Sequence, residues 1–509
     1  MKKSIYIDQE GDTKSPGNLE KSSHGSGCCS KLNRREFISR MGLAGGGMFF
    51  LNSGFFTEST SQVMGPPLLP GDRGPKPRIA VAFSRQQDEY YMGWPGAAYD
   101  HNAAQAVYTE TLAKAADMLG VVLDIEAGPL RDNEKTDSFL RRAKKADGAI
   151  ITCMNLNDGW PAILRFVEHK GNLPTIVYAP RGTLFTSRLN DFRDTPYCFV
   201  GSVVDTGWLA TALRMLKSVW QMDNTRIALI RRDEVKEEKL LPVGTTLCHI
   251  PLQQFADAYH ATQLSDQVES IAREYIKKAR AILEPSREEI HDAARTYVAN
   301  RNIMDEYGCH AVTMDCLRLV GDKITPPPCM AYFQLLNEKT CGCCEGDITG
   351  ALTLMLSSYL FDKPGFLHNP VVDNVNNNYG GAHCVAPTQM DGFGTAEESM
   401  ILRSHHESDW GVATQVILRE NQPVTLMKFM GPGALWAATG TVLHNVDTQP
   451  HDGIGGCRTG FAMAMDNVHD ARDIRGHHNV LIYGKYLPEL RAWCQLAGIR
   501  AEHITGGIL

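Results

Sequence analysis

Several features are missing from this chain of 509 residues, and each absence removes a class of function. Beyond its first sixty residues it has no run approaching the roughly 18–20 apolar residues that span a bilayer, so a soluble folded part is expected. It has no excess of basic charge: Lys and Arg number 51 against 58 acidic residues, a net charge of −7. No basic stripe follows the leader, so a nucleic-acid partner is excluded. No G-x-G-x-x-G follows the first strand and no G-x-x-x-x-G-K-[ST] occurs, which leaves a nucleotide-binding reading without support. Fourteen cysteines are present, but they are scattered rather than spaced as a small disulfide scaffold. At 43% apolar and 21% charged residues, the composition is that of an ordinary globular protein with more than one domain.

Residues 1–30 are polar and rich in Ser, Gly, Lys and Glu, too apolar-poor to fold. Arg34–Arg35, followed by Glu36, Phe37 and Ile38, resembles the twin-arginine export signal. The apolar run behind it, Met41 to Phe56, is short and is broken by Gly45–Gly47. The resemblance implies the twin-arginine export machinery as a partner and a periplasmic or extracytoplasmic address. No A-x-A site is evident between Ser59 and Gly65, so an uncleaved membrane anchor stays open. That route carries proteins already folded, and free, buried thiols are expected in the rest of the chain.

After the disordered region and signal (1–64) and a Pro/Gly linker, three parts follow. From 77 to 221, short β-branched runs (RIAVAF, VVLDIE, GAIITCM, PTIVYA) alternate with helical segments such as Ala103–Leu119. That alternation predicts a parallel sheet with crossover helices. A second α/β series, 222–362, contains RIALIRR, a long charged helical stretch over about 266–300, CHAVTMDC, and a helix that starts at Glu345. From 363 to 509 the texture changes to alternating strands (GVATQVILRE, QPVTLMKFM, TGTVLHNV) with a helix near the end. The expected fold is α/β: two Rossmann-like domains and a strand-rich α+β C-terminal domain.

Metal-competent side chains collect in four places: Glu345 and Asp347 in CGCCEGD, Asp373 in VVDNVNNNYGG, His383 in GGAHC, and His477–His478 in RGHHNVLIYG. Carboxylates suit a helix start, and a histidine among glycines is often structural, so each is weak alone. Together they make a hard oxygen–nitrogen set suited to Mn²⁺, or to Co²⁺, Fe²⁺ or Zn²⁺. Cys341, Cys343 and Cys344 lack the paired C-x₂-C spacing of structural zinc and read as small fillers at a tight turn.

The order of these elements resembles the metal-site order of the L-arabinose and L-fucose isomerase superfamily: CEGD before an apolar helix, VVDN 28 residues after Glu345, GGAHC 10 further on, and a late GHHNVLIYG. The resemblance implies Glu345, Asp373, His383 and His478 as the metal set, with Glu345 and Asp373 also catalytic. The Asp373–His383 interval is short for the arabinose enzymes, so a substrate-binding or structural role for His383 stays open. It further implies a fucose isomerase-like fold and a homo-oligomer with a free monosaccharide as substrate. Substrate contacts are implied in SRQQDEYYMGW at Arg85, Gln87 and Trp94, and at His477. In that reading two carboxylates pass a proton between C1 and C2 of the sugar beside a divalent ion. The alternatives are an exported carbohydrate-binding protein without turnover and another metal-dependent enzyme acting on carbohydrate.

Overall fold

A computed structural model describes residues 65–88, 91–92, 94, 98–231, 234–446, 457–466 and 470–503. Arg34–Arg35 and the apolar run Met41 to Phe56, on which the expected export signal rests, lie outside the described residues. The described residues belong to one compact unit, Gly54–Leu509.

The β-branched runs of the first part form five parallel strands in the order Val122–Ile125, Arg78–Ser84, Gly148–Cys153, Thr175–Pro180, Cys198–Val203. The three central strands are buried along nearly their whole length, which is why they read as continuous apolar runs rather than alternating ones. A second sheet runs Cys341–Cys343, Ala311–Met314, Arg226–Ile230, Thr245–Ile250, Lys236–Leu240, parallel except for its last strand. The long charged helix expected over about 266–300 is instead two helices, Asp266–Lys278 and Arg287–Glu306. Between them Ala281–Ile282 pairs with Met400–His405, and Ser286 with Glu289 closes a capping box that restarts the helix after Pro285.

The C-terminal part closes into a six-stranded antiparallel barrel. Its strands run Pro423–Phe429, Asn479–Tyr483, Phe366–Asp373, Asn378–His383, Thr459–Met465, Ala434–Asn445 and back to Pro423–Phe429. Arg500–His503 adds to it in parallel outside the ring. Closure pairs every strand on both sides, so alternating sequences can bury one face without leaving an open edge. The architecture is thus mixed α/β with parallel sheets and a strand-rich C-terminal region. No helix among the described residues is long and apolar enough to cross a membrane.

Candidate metal centre

Glu345 follows the strand Cys341–Cys343, at the carboxyl end of the second parallel sheet, where open α/β sheets present their clefts. It does not open the helix as its spacing suggested. It sits in a single 3₁₀ turn with φ +63°, and the helix Ile348–Phe361 begins only after Asp347, whose side chain accepts from the Gly350 N–H. The left-handed backbone at Glu345 is unusual for a side chain with a Cβ.

Strand register brings the histidines to it. On the strand Phe366–Asp373, His368 pairs with Asn479 on one side and Asn369 with Ala382 on the other. His383 and His478 therefore reach the same end of the barrel from the two strands that flank it. Their rings stand 5.4 Å apart at 72°. Glu345 lies between them, with Oε1 3.5 Å from His383 Nε2 and Oε2 3.4 Å from His478 Nε2. Among the described residues these three form the one group with metal-ligating spacing.

Both histidines are buried, and His383 Nδ1, His383 Nε2 and His478 Nε2 have no hydrogen-bond partner. Buried ring nitrogens without partners are costly unless something else occupies them, so the donor set fits a divalent ion. The supporting contacts are those expected around such an ion. His478 Nδ1 meets Asp347 Oδ2 at 3.0 Å, and the buried Lys428 donates to the same oxygen at 2.5 Å. That carboxylate selects the orientation of the His478 ring and leaves Nε2 toward Glu345. Gly476, at φ +94°, lets the chain pass over Lys428, where an added Cβ would come within 2.9 Å of its Cγ.

The electrostatics follow from this packing. The imidazoles of His383 and His478 hold the Glu345 carboxyl well below the usual carboxylate range. Burial would raise Asp347, but His478 and Lys428 outweigh it and keep that carboxyl low as well. Burial would likewise lower His478, yet the carboxylates of Asp347 and Glu345 hold it up at about 9. His405, buried nearby and bonded through Nδ1 to Ser408 Oγ at 2.9 Å, is pushed down to about 4 by burial, with His383 adding to the effect.

Asp373 is not brought to this group. It pairs with Asn378 at the far end of the hairpin, four residues along the strand from the Asn369–Ala382 pair, or about 13 Å. Its carboxylate is exposed and spent on the turn, accepting from the Val375 N–H at 3.0 Å, the Asn376 N–H at 3.0 Å and Asn376 Nδ2 at 2.6 Å. The short Asp373–His383 interval has a topological reason: the two residues sit at opposite ends of one hairpin.

Of the expected substrate contacts, His477 is exposed and its ring lies 4.6 Å from that of His478. Arg85 is buried and donates to Asn102 Oδ1 at 2.8 Å, Gln87 is exposed and its carbonyl meets His101 Nδ1 at 3.1 Å, and Trp94 is 62% exposed beside Phe185. None of these three has a hydrogen bond or ion pair to Glu345, His383 or His478 among the described residues. Cys341, Cys343 and Cys344 are buried and free. Lys428 escaped sequence reasoning, and its one signal was a lysine inside the apolar run LMKFM.

No family model matches the chain, and no curated protein matches it.

Proposed function

We propose that this protein is a divalent-metal-dependent aldose–ketose isomerase acting on a free sugar through a cis-enediol intermediate. The observation that carries the reading is the Glu345–His383–His478 group, one ionised carboxylate between two buried imidazoles, three of whose four ring nitrogens have no hydrogen bond. These three residues would hold the ion, with Mn²⁺ the first candidate for a carboxylate-and-imidazole set. A bound divalent ion would supply Lewis-acid polarisation of the sugar's oxygens. The chain supplies the rest. Glu345 would serve both as ligand and as the base toward the sugar, Asp347 and Lys428 hold the His478 ring, and the exposed His477, whose ring neighbours His478, would be available to sugar hydroxyls.

The test is direct. The purified protein is incubated with Mn²⁺ and a panel of aldoses and deoxy-aldoses, and ketose is followed by NMR. Ketose formation by the parent protein, abolished together with metal binding in Glu345→Gln, is the expected result. Full turnover in that variant, or no near-stoichiometric metal, overturns the proposal.

One observation favours a second reading, a carbohydrate-binding protein without turnover: the group contains one carboxylate, because Asp373 lies elsewhere. Deuterium exchange at C2 of a bound sugar separates the two, since a binder leaves that proton in place. The wider reading also belongs here: Rossmann-like domains in a fucose isomerase-like fold, and export by the twin-arginine route to an extracytoplasmic address. A homo-oligomer is supported by the exposed Val371, Val372 and Val375 of the hairpin.

A further inference from the structure

The molecule has a cavity built from residues that take no part in the candidate metal centre. It lies at the amino end of the first parallel sheet, where the strands Gly148–Cys153, Thr175–Pro180 and Cys198–Val203 begin, and its volume is about 420 Å³. Pockets for small molecules run from roughly 300 to 1,000 Å³. The walls come from elements far apart in the chain. Val219 and Trp220 belong to the helix Trp208–Asp223, Trp493 and Leu496 to the helix Leu487–Ala497, Lys170 ends the helix Trp160–His169, and Tyr197 precedes the third strand.

Three of these side chains are in states that packing alone does not account for. Trp493 is fully buried, and its indole N–H has no hydrogen-bond partner among the described residues. A buried donor in that state is costly unless something outside the chain accepts from it. Lys170 is buried too, and its Nζ donates to the carbonyls of Gly171 and Leu173 at 3.1 Å and of Pro196 at 3.4 Å. Those bonds fix the ammonium in the wall, 5.8 Å from the centre of the Tyr197 ring, yet no carboxylate among the described residues is paired with it. A buried charge of this kind calls for a counter-ion. Tyr197 has φ +55°, a strained backbone for a bulky side chain. It is held there by its N–H on the Gln495 carbonyl at 2.8 Å and by its own carbonyl, which accepts from the Thr175 N–H at 2.9 Å. Its ring packs on Gly498, where an added Cβ would come within 2.3 Å of it. Strain collects at ligand clamps, and this ring is a rigid aromatic wall.

We propose that this cavity binds a small apolar molecule bearing a carboxylate, with its apolar body against Tyr197, Trp220 and Trp493 and its carboxylate toward the Trp493 Nε1–H and the Lys170 charge. The two acids at the cavity do not supply the missing acceptor. Asp147 and Asp223 are exposed and engaged elsewhere, Asp147 Oδ2 accepting from the Arg78 N–H at 2.7 Å and Asp223 Oδ1 from Lys239 Nζ at 3.2 Å. The buried part of the wall therefore offers a donor and a positive charge, which suit an anion and disfavour an amine. Aromatic walls give the affinity and the few polar groups fix the orientation, as in small-molecule pockets generally.

The full-length protein, kept metal-free with EDTA, is titrated with cinnamate by calorimetry, and cinnamyl alcohol serves as the probe without the charge. One cinnamate per chain is expected, with the alcohol binding about tenfold more weakly or not at all. Trp493→Phe keeps an aromatic ring, removes the donor, and should weaken cinnamate about tenfold. Val219→Trp fills the cavity and should abolish binding while circular dichroism shows the fold kept. If that variant does not fold, Trp493→Phe still decides. Glu345→Gln should bind cinnamate as the parent does, whatever happens at the metal centre. The proposal is overturned by no binding at millimolar cinnamate, by equal affinity for acid and alcohol, or by parent-like binding in Trp493→Phe or in folded Val219→Trp. Loss of binding in Glu345→Gln would place the probe at the metal centre and overturn it as well.

Discussion

Proton and metal compete for one ring nitrogen at the candidate centre, and the competition has a calculable size. His478 is raised from its ordinary 6.5 to about 9 by Asp347 and Glu345, against the opposing effect of burial. Metal-free protein at neutral pH therefore carries a proton on His478, and an ion taking Nε2 must displace it. Glu345 and Asp347 are held ionised and release nothing. Between about pH 7 and pH 9 the apparent Mn²⁺ affinity should rise about tenfold per pH unit, the equivalent of about 1.4 kcal/mol for each. Calorimetry in two buffers of different ionisation enthalpy should count about one proton released per ion at pH 7.5. Asp347→Asn removes the stronger support of the charged ring, leaves burial to lower it, and flattens the slope. The stability of the metal-free protein moves the other way. A group whose folded-state value is raised contributes fully below about 6.5 and loses that contribution as pH climbs through about 9, here about 3 kcal/mol in total. A metal affinity independent of pH over that window, or an undiminished slope in Asp347→Asn, refutes the reasoning.

Asp373→Asn should leave Mn²⁺ affinity and any ketose formation within about twofold of the parent, because its carboxylate serves only the hairpin turn; a loss beyond tenfold, read by the same titration, would return it to the site. Lys428→Met removes one partner of a buried ion pair and leaves the Asp347 charge against His478 alone. A destabilisation of about 3–5 kcal/mol is expected, visible as a lower thermal midpoint, together with weaker Mn²⁺ binding. An unchanged midpoint would show that the pair contributes nothing.

How much of this was legible in the sequence depended on whether a signal was local. Buried strands such as RIAVAF and GAIITC announce themselves because both faces need apolar side chains, whereas the left-handed turn at Glu345 was not foreseen and a helix was expected to start there. The break at Pro285–Ser286 was also local, but charged residues on both sides masked it, so one helix was expected where two exist. The thiols read as packing, and eleven of the twelve described are buried. Lys428 was not legible, because its partner Asp347 is 81 residues away in the chain.

Composition and pattern by themselves determined the negative charge, the lack of nucleotide motifs, the alternation that demands parallel sheets, and a short inventory of carboxylates and imidazoles. Which members of that inventory meet was decided only by barrel closure. Register places His368 level with Asn479 and Asn369 with Ala382, which carries His383 and His478 to one end of the barrel and leaves Asp373 at the other. The physical reason is that a strand advances about 3.3 Å per residue, so five positions along a hairpin outweigh any closeness in sequence.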